Sequence, residues 1–282
     1  MSGFFVLSVS CKPEITPMRL QEITIYPIKS FAGIDLTESE VTERGLLYDR
    51  NWMLINSKGK FISQREFPIL SLLITQIENG SLNISHRLNK AFQLQLGLAE
   101  SLQATSQVDV WDDTMLAEHV SEEASAKLSE ILQQEVSLVK IGKSTSRLAD
   151  PRFVDADTQV SFADGYPFLI ISQASLDDLN SRLEAPVEMN RFRPNMVISG
   201  STSFEEDTWK EIQIGECRFQ IVKPCARCEV TTINQQTAER GKEPLRTLSK
   251  YRREGNKVLF GQNMVALKAG KISVGDEVKI LK

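Results

Sequence analysis

Short runs of alternating apolar and polar residues, each ended by a turn signal, constrain this chain more than any other feature. Leu20–Ile28 reads LQEITIYPI, the pattern of a strand with one buried face. Ile34–Val41, Trp52–Ile55, Leu72–Ile77, Ser81–Ile84 and Phe92–Leu96 are further strand candidates, and Asn79-Gly80 between two of them is a hairpin turn. Strands this short and this frequent are expected to curl towards a barrel. A polar, helix-compatible segment, Ser121–Gln134, and a strand at Val136–Lys140 complete the first half.

The segment Lys143–Asp157 is rich in Ser, Asp, Lys and Arg, lacks periodicity, and is expected to be a junction. The chain of 282 residues suits two domains at ~150 residues each. The expected division is a disordered preface over 1–17, an N-terminal β-rich domain over 18–142, the junction over 143–157 and a second domain over 158–282. That second part opens with a buried strand at Tyr166–Ser172. A helix follows, with Ser172 as N-cap and Leu176, Leu179 and Leu183 on one face. Strands are expected at Met196–Ile198, Ile212–Ile214, Arg218–Val222 and Glu229–Ile233. A short helix then spans Pro244–Tyr251, and Leu259–Leu267 and Ile272–Leu281 close the chain about a Gly275-Asp276 turn. The fold class is mainly β with some α.

At the N-terminus no Lys or Arg precedes the short apolar run Phe4–Val9, so a signal peptide is not expected. A start at Met18 is the alternative to a disordered preface. No stretch approaches the ~20 apolar residues of a membrane span. A net charge of −4 argues against nucleic acid as the main partner, although a local basic pocket for one anionic ligand remains open. Four cysteines (Cys11, Cys217, Cys225, Cys228) do not make a disulfide framework in a chain this long, which points to a reducing, cytoplasmic setting. Neither His86 nor His119 has a His or Cys at ligand spacing, so a histidine-built zinc site is not expected.

Chemistry concentrates in KPCARCEVTT, Lys223–Thr232. Its C-x-x-C pair, Cys225 and Cys228, is compatible with half a zinc ribbon, but no second half exists. A thioredoxin-like redox pair would open a helix, whereas a β-branched strand is expected here. Two buried structural cysteines remain a third reading. The fourth is a single soft thiolate ligand for a thiophilic metal, with Arg227 beside Cys228 stabilising the deprotonated form. Elsewhere, YPIKS places Lys29 and Ser30 at a strand end, YDRNW places Asp49 and Arg50 before the next strand, and NRFRPN supplies Arg191, Arg193 and Asn195. Together they offer an ammonium and forked guanidinium donors suited to a phosphate, with amide and hydroxyl groups for a polar heterocycle. Neither GxxxxGK nor GxGxxG occurs, so a P-loop or dinucleotide-binding enzyme is not expected.

IYPIKS, LLYDRNWMLI, FADGYPFLIISQASLDDLNSRL, NRFRPNMVISG, PCARCEVTT, LFGQNMVA and ISVGDEVKIL occur in this order between about Met18 and the C-terminus. In them the chain resembles the MOSC-domain family, and more closely the branch of the mitochondrial amidoxime reducing component and its bacterial relatives. The resemblance implies an N-terminal β-rich, barrel-like domain and a C-terminal β-barrel, with a molybdenum–molybdopterin cofactor between them. Cys228 matches the cysteine that ligates molybdenum and carries catalysis; Cys225 matches a neighbour that does not. Lys29, Ser30, Arg50, Arg193 and Asn195 match positions holding the pterin and its phosphate, and Ala226 and Arg227 lie in the cofactor-contacting loop. Asp164, Gly165 and Tyr166 border the cofactor, although Gly165-Tyr166 departs from the hydroxyl-bearing pair of the animal branch and Asn263 from an aromatic residue there. These departures bear on the substrate.

The implied activity is two-electron reduction of a small N-hydroxylated compound, and Asp164 is the nearest acid by position. No cysteine follows Cys228 and no C-terminal iron–sulfur domain is expected, so electrons are expected from a separate ferredoxin-, flavodoxin- or cytochrome-like donor. Pyridoxal phosphate belongs to the family's wider associations, through cofactor sulfurases, and no domain for it is expected here. Two rivals stand beside the reductase: a MOSC module carrying cofactor or cysteine-bound sulfur without turnover, and a metal-free interaction protein with structural cysteines.

Overall fold

A computed structural model describes residues 17–282; the preface expected over 1–17, apart from Pro17, and Cys11 lie outside the described residues. Strand β1 (Arg19–Ile25) buries Ile23 and Ile25 by alternation, and an irregularity in its pairing between Leu20 and Glu22 lets Leu20 join them in the core. The single strand expected over 34–41 is two. β2 (Ile34–Leu36) pairs with β1, whereas β3 (Glu38–Thr42) turns away to pair with β4 (Gly45–Leu46) in a separate sheet. The inward face shifts at the bend at Thr37, from Ile34 and Leu36 before it to Ser39 and Val41 after it, and the polar run Thr37–Glu40 between the apolar residues hides that shift in the sequence.

β5 (Trp52–Ile55) is buried along its whole length. β6 (Leu73–Glu78), β7 (Ser81–His86) and β8 (Gln93–Gly97) form a three-stranded meander. Its first turn has positive φ at both Asn79 and Gly80, as a two-residue primed turn demands. The hairpin of β9 (Thr105–Val110) and β10 (Asp113–His119) was not expected. Only Val108, Val110, Met115 and Ala117 turn inward, and the polar residues between them hide the alternation. Helix α1 (Glu122–Leu132) starts where Ser121 accepts a hydrogen bond from Ala124 N, and it buries Ala124, Leu128 and Leu132. β11 (Ser137–Ile141) then completes a four-stranded sheet in the order β5-β11-β10-β9.

β12 (Phe168–Ser172), α2 (Gln173–Ser181) and β13 (Met196–Ser199) form a parallel β-α-β unit, with Ser172 capping the helix as expected. β14 (Glu211–Ile214), β15 (Cys217–Arg227), the one-turn α3 (Leu245–Leu248), β16 (Arg253–Glu254), β17 (Lys257–Lys268), β18 (Gly270–Ser273) and β19 (Val278–Ile280) follow. The large sheet has the order β19-β14-β15-β17-β12-β13-β1-β2, with β16 beside β17. It therefore takes its last two strands from the start of the chain, and β18 returns to pair with β3. Its core joins Leu20, Ile23, Val41 and Leu46 of the first half to Phe168, Phe219 and Met264 of the second.

One expected element is replaced. Glu229–Ile233 is not a strand; Glu229–Thr232 is a single 3₁₀ turn. Thr231 returns both its backbone N–H (3.1 Å) and its hydroxyl (2.9 Å) to the Cys228 carbonyl, and the Thr232 hydroxyl bonds Glu229 O at 2.7 Å. These local bonds override the β preference of Val-Thr-Thr. β15 instead runs further than expected and carries Cys225, with bulges against β17 at 221–223 and 224–226 that turn its end.

Candidate functional site

The ends of β1 and β15, the starts of β12 and β13 and the loop after β5 meet around one cleft, and every residue matched to the cofactor site from the sequence lines it, while Asp49 lies behind Arg50. Three non-glycine residues there hold left-handed backbone, Ser30 (φ 73°), Arg50 (φ 51°) and Arg193 (φ 54°). Such strain persists only where the surroundings over-determine it, and it gathers at functional sites.

Tyr26 anchors the anion-facing wall. Arg50 and Arg193 both lie over its ring, at 4.3 and 4.1 Å from the centroid. Arg50 is fixed by Asp49 at 2.6 Å and by the Arg193 carbonyl at 3.2 Å, and Arg193 donates to Phe31 O at 2.7 Å. Burial lowers the Arg193 pKa to about 10, the cost of holding a guanidinium here without a carboxylate of its own. Lys29 is 6% exposed and donates to Phe162 O at 2.8 Å and Asp164 Oδ1 at 2.6 Å. Burial pushes its pKa down to about 8, with Asp164 pulling the other way. Asp164 also accepts from Trp111 Nε1 at 3.2 Å, so two donors favour its carboxylate and make it an acceptor, not an acid. Arg147, 4% exposed, ties down the segment beneath by donating to the carbonyls of Ser161, Ala163 and Asp164.

The thiol loop corrects one expectation. Arg227 does not serve Cys228: its guanidinium donates to Cys225 Sγ at 2.8 Å and to the Phe192 carbonyl. The cation on Cys228 is Arg65, whose Nη2 lies 3.3 Å from Sγ, and no motif marks it in the sequence. Arg65 stacks 4.5 Å over Trp111, which sits in the β9–β10 turn. The loop carrying Arg65 is pinned by Gln64, which donates to Ser30 O at 2.7 Å and exchanges amide bonds with Gln235. Gln64, Arg65 and Trp111 sit in ordinary polar loop sequence, and only their convergence from distant segments distinguishes them.

Asn195 lines the cleft but spends its amide on the frame, donating to Thr24 O and accepting from Leu169 N, both at 3.2 Å. Asn263 similarly donates to Lys223 O at 3.1 Å. By contrast, Tyr166 Oη and Arg227 Nε are buried without a protein partner, and a side chain at Gly165 would meet open space. Ala226 lies on the lining between the two thiols.

The lining holds six cations (Lys29, Arg50, Arg65, Arg191, Arg193 and Arg227) against one carboxylate, Asp164, in a chain of net charge −4. A cleft so charged selects an anion. Among the described residues no group of three or more His, Cys, Asp and Glu is placed to hold a metal. A metal in this cleft would meet thiols at Cys225 and Cys228 and bring most of its ligands on an anionic chelator. The residues present fit a molybdenum–pterin group in that sense.

Comparison with known proteins decides the family. The MOSC N-terminal beta barrel domain model matches residues 17–135, and the MOSC domain model matches residues 157–279. The chain belongs to the MOSC domain family. Mouse mitochondrial amidoxime-reducing component 1 is 36% identical over 92% of this chain and 81% of its own length; the human protein is 34% identical over 92% and 82%. A rice molybdenum cofactor sulfurase is 35% identical over 93% of this chain, which spans only 34% of the sulfurase. The family thus ties this MOSC chain to molybdenum-cofactor proteins and oxidoreductases. The mitochondrial relatives overturn the cytoplasmic expectation: free thiols indicate a reducing environment and do not specify a compartment.

Proposed function

We propose that this MOSC protein holds a molybdenum–molybdopterin cofactor through Cys228 and reduces small N-hydroxylated compounds by two electrons. The observation that carries the reading is the cationic cleft around one thiol, with Arg65 on the sulfur. When bound, the cofactor supplies the two-electron redox centre at which an N–O bond is cleaved. Converting N–OH to N–H releases one water and consumes two electrons and two protons. A separate carrier protein delivers the electrons, and solvent supplies the protons.

The chain's residues bind and orient. Arg50 and Arg193, pre-set on Tyr26, clamp the phosphate with Lys29 beside them. Ser30 and the Ala226–Arg227 backbone face the heterocycle. Cys228 presents its sulfur, and Arg65 offsets the negative charge on it. The open side at Gly165, bordered by Tyr166 and Asn263, admits the substrate.

The test is molybdenum content, by elemental analysis, of wild type, Cys228→Ala and Cys225→Ala from a host that makes molybdopterin. Turnover of benzamidoxime with dithionite-reduced methyl viologen is measured alongside. The expected result is near-stoichiometric metal and turnover in wild type and Cys225→Ala, with turnover abolished in Cys228→Ala. Wild type without metal despite that supply would overturn the reading. The sulfurase relatives, as similar in sequence as the reductase relatives, favour a second reading in which Cys228 carries sulfur. An added sulfur mass on Cys228, without molybdenum, would select it.

A further inference from the structure

We infer that the basic pocket around α3, next to the thiol loop, is the docking surface for an acidic electron-carrier protein. The inference rests on the reductase reading and names the face at which the carrier delivers its electrons. Residues 239–257 hold seven basic and three acidic side chains in a chain whose total charge is −4, so positive charge is segregated here and the remainder is acidic. A second concavity forms on this segment, lined by Arg240, Lys242, Arg246 and Arg253 over Leu245 and Val258. Its basic side chains are exposed. Only two are near a carboxylate, Arg240 to Glu229 at 3.5 Å and Arg246 to Glu243 at 3.9 Å, both pairs at the surface. Among the described residues, Lys242 and Arg253 have no acidic partner within salt-bridge distance.

Position makes this charge purposeful. Glu229, on the wall of the pocket, directly follows Cys228, and the Arg240 guanidinium donates to the backbone carbonyl of Arg65, the residue that contacts the Cys228 sulfur. A carrier seated here faces the thiol loop across one turn of backbone, and electron tunnelling favours the shortest separation. A small apolar centre inside a charged rim suits a weak, rapidly exchanging electron-transfer contact, which buries less than about 1,200 Å². Charge steering speeds such encounters by roughly 10- to 1,000-fold at low ionic strength. The pocket is open and its cations are solvated, which favours a protein surface over a small anion needing a desolvated site. Two successive encounters with a one-electron carrier supply one turnover.

The experiment compares the molybdenum-loaded wild type with Lys242→Glu/Arg246→Glu, two exposed residues outside the cleft. Benzamidoxime turnover is driven first by dithionite-reduced methyl viologen and then by reduced, acidic [2Fe–2S] ferredoxin or flavodoxin. The variant is expected to match wild type in metal content and viologen-driven turnover, and to lose about tenfold or more in the second-order rate with the acidic carriers at low salt. That gap should close as salt rises. Equal carrier-driven rates in both proteins, or a wild type that turns over with viologen but with neither carrier, would overturn the docking inference. So would variant-sensitive binding to phosphatidylserine vesicles with carrier-driven rates unchanged, which would assign the patch to a lipid surface. A wild type inactive even with viologen would instead sink the reductase reading, which keeps the two failures apart.

Discussion

The two walls of the cleft are built on different principles. One lies at the strand ends of β1 and β13 within the nine-stranded sheet, where Lys29, Arg50, Arg193 and Asn195 are each held by backbone carbonyls or buried partners from elements far apart in sequence. The other is the loop after β5 and the β9–β10 turn, where Arg65 and Trp111 hold each other at the surface and reach Cys228 from above the buried Gln64. Trp111 is 47% exposed, whereas Asn195 is 2% exposed. The sheet wall is suited to bind an anion in fixed geometry, because its groups are ordered before the ligand arrives. The loop wall is suited to tune the thiol and to yield to a substrate. Pre-organisation and adaptability are thus divided between the two sides of one site.

Breaking the sheet wall should cost most at Gly261. Its φ is 78°, and an added Cβ would lie 2.6 Å from Ile171 Cγ1 and 2.9 Å from the Ile170 carbonyl. Gly261→Ala is expected to destabilise the protein by about 3 kcal/mol or more in urea unfolding, since backbone strain and overpacking add. Asn195→Ala should follow at roughly 2–3 kcal/mol, because a buried N–H and carbonyl each lose a partner. A loss no larger than that of an exposed Asn→Ala control would show that its amide does not hold the frame.

Lys29 offers a pH test of the same wall. Its folded pKa, about 8, lies below the unfolded value of 10.5, so the unfolded chain binds more protons between those limits. Stability should therefore rise with pH from about 8 to 10.5, by at most about 1.4 kcal/mol per unit, relative to Lys29→Met in the cofactor-free protein. Parallel stability profiles for the two proteins would remove the assigned burial of that charge.

The smallest effect separates the two arginines of the thiol loop. Arg65→Ala should slow iodoacetamide alkylation of Cys228 by roughly threefold and leave Cys225 unchanged, while Arg227→Ala should do the reverse. Peptide mass spectrometry of the two thiols distinguishes them. If Arg227→Ala slows Cys228 instead, the pairing seen in the loop is wrong and the sequence neighbour is the partner after all.

The sequence was most informative where function rests on local chemistry. Alternation located β1 and β6–β8, an apolar run located β5, Ser172 was legible as the cap of α2, and ordered motifs marked cofactor-site residues that converge on one cleft. It was least informative where long-range contacts compete with local preference. The β9–β10 hairpin was hidden by polar residues on its outer face, and the Val-Thr-Thr run became a turn once two threonine hydroxyls found local carbonyls.

By itself, then, the sequence determined the mainly β class, the family motifs, the thiol and the clustering of cations near strand ends. These follow from periodicity and residue type, which are local properties. Only the tertiary structure decided which guanidinium serves which sulfur, that Asn195 bonds the frame, and that β1 and β2 complete the sheet of the second half. Arg227 is adjacent to Cys228 in the chain, yet β15 carries it toward Cys225 and Phe192, while Arg65 arrives from 163 residues away. A side chain's partner depends on where folding directs it in space, and sequence adjacency does not record that direction.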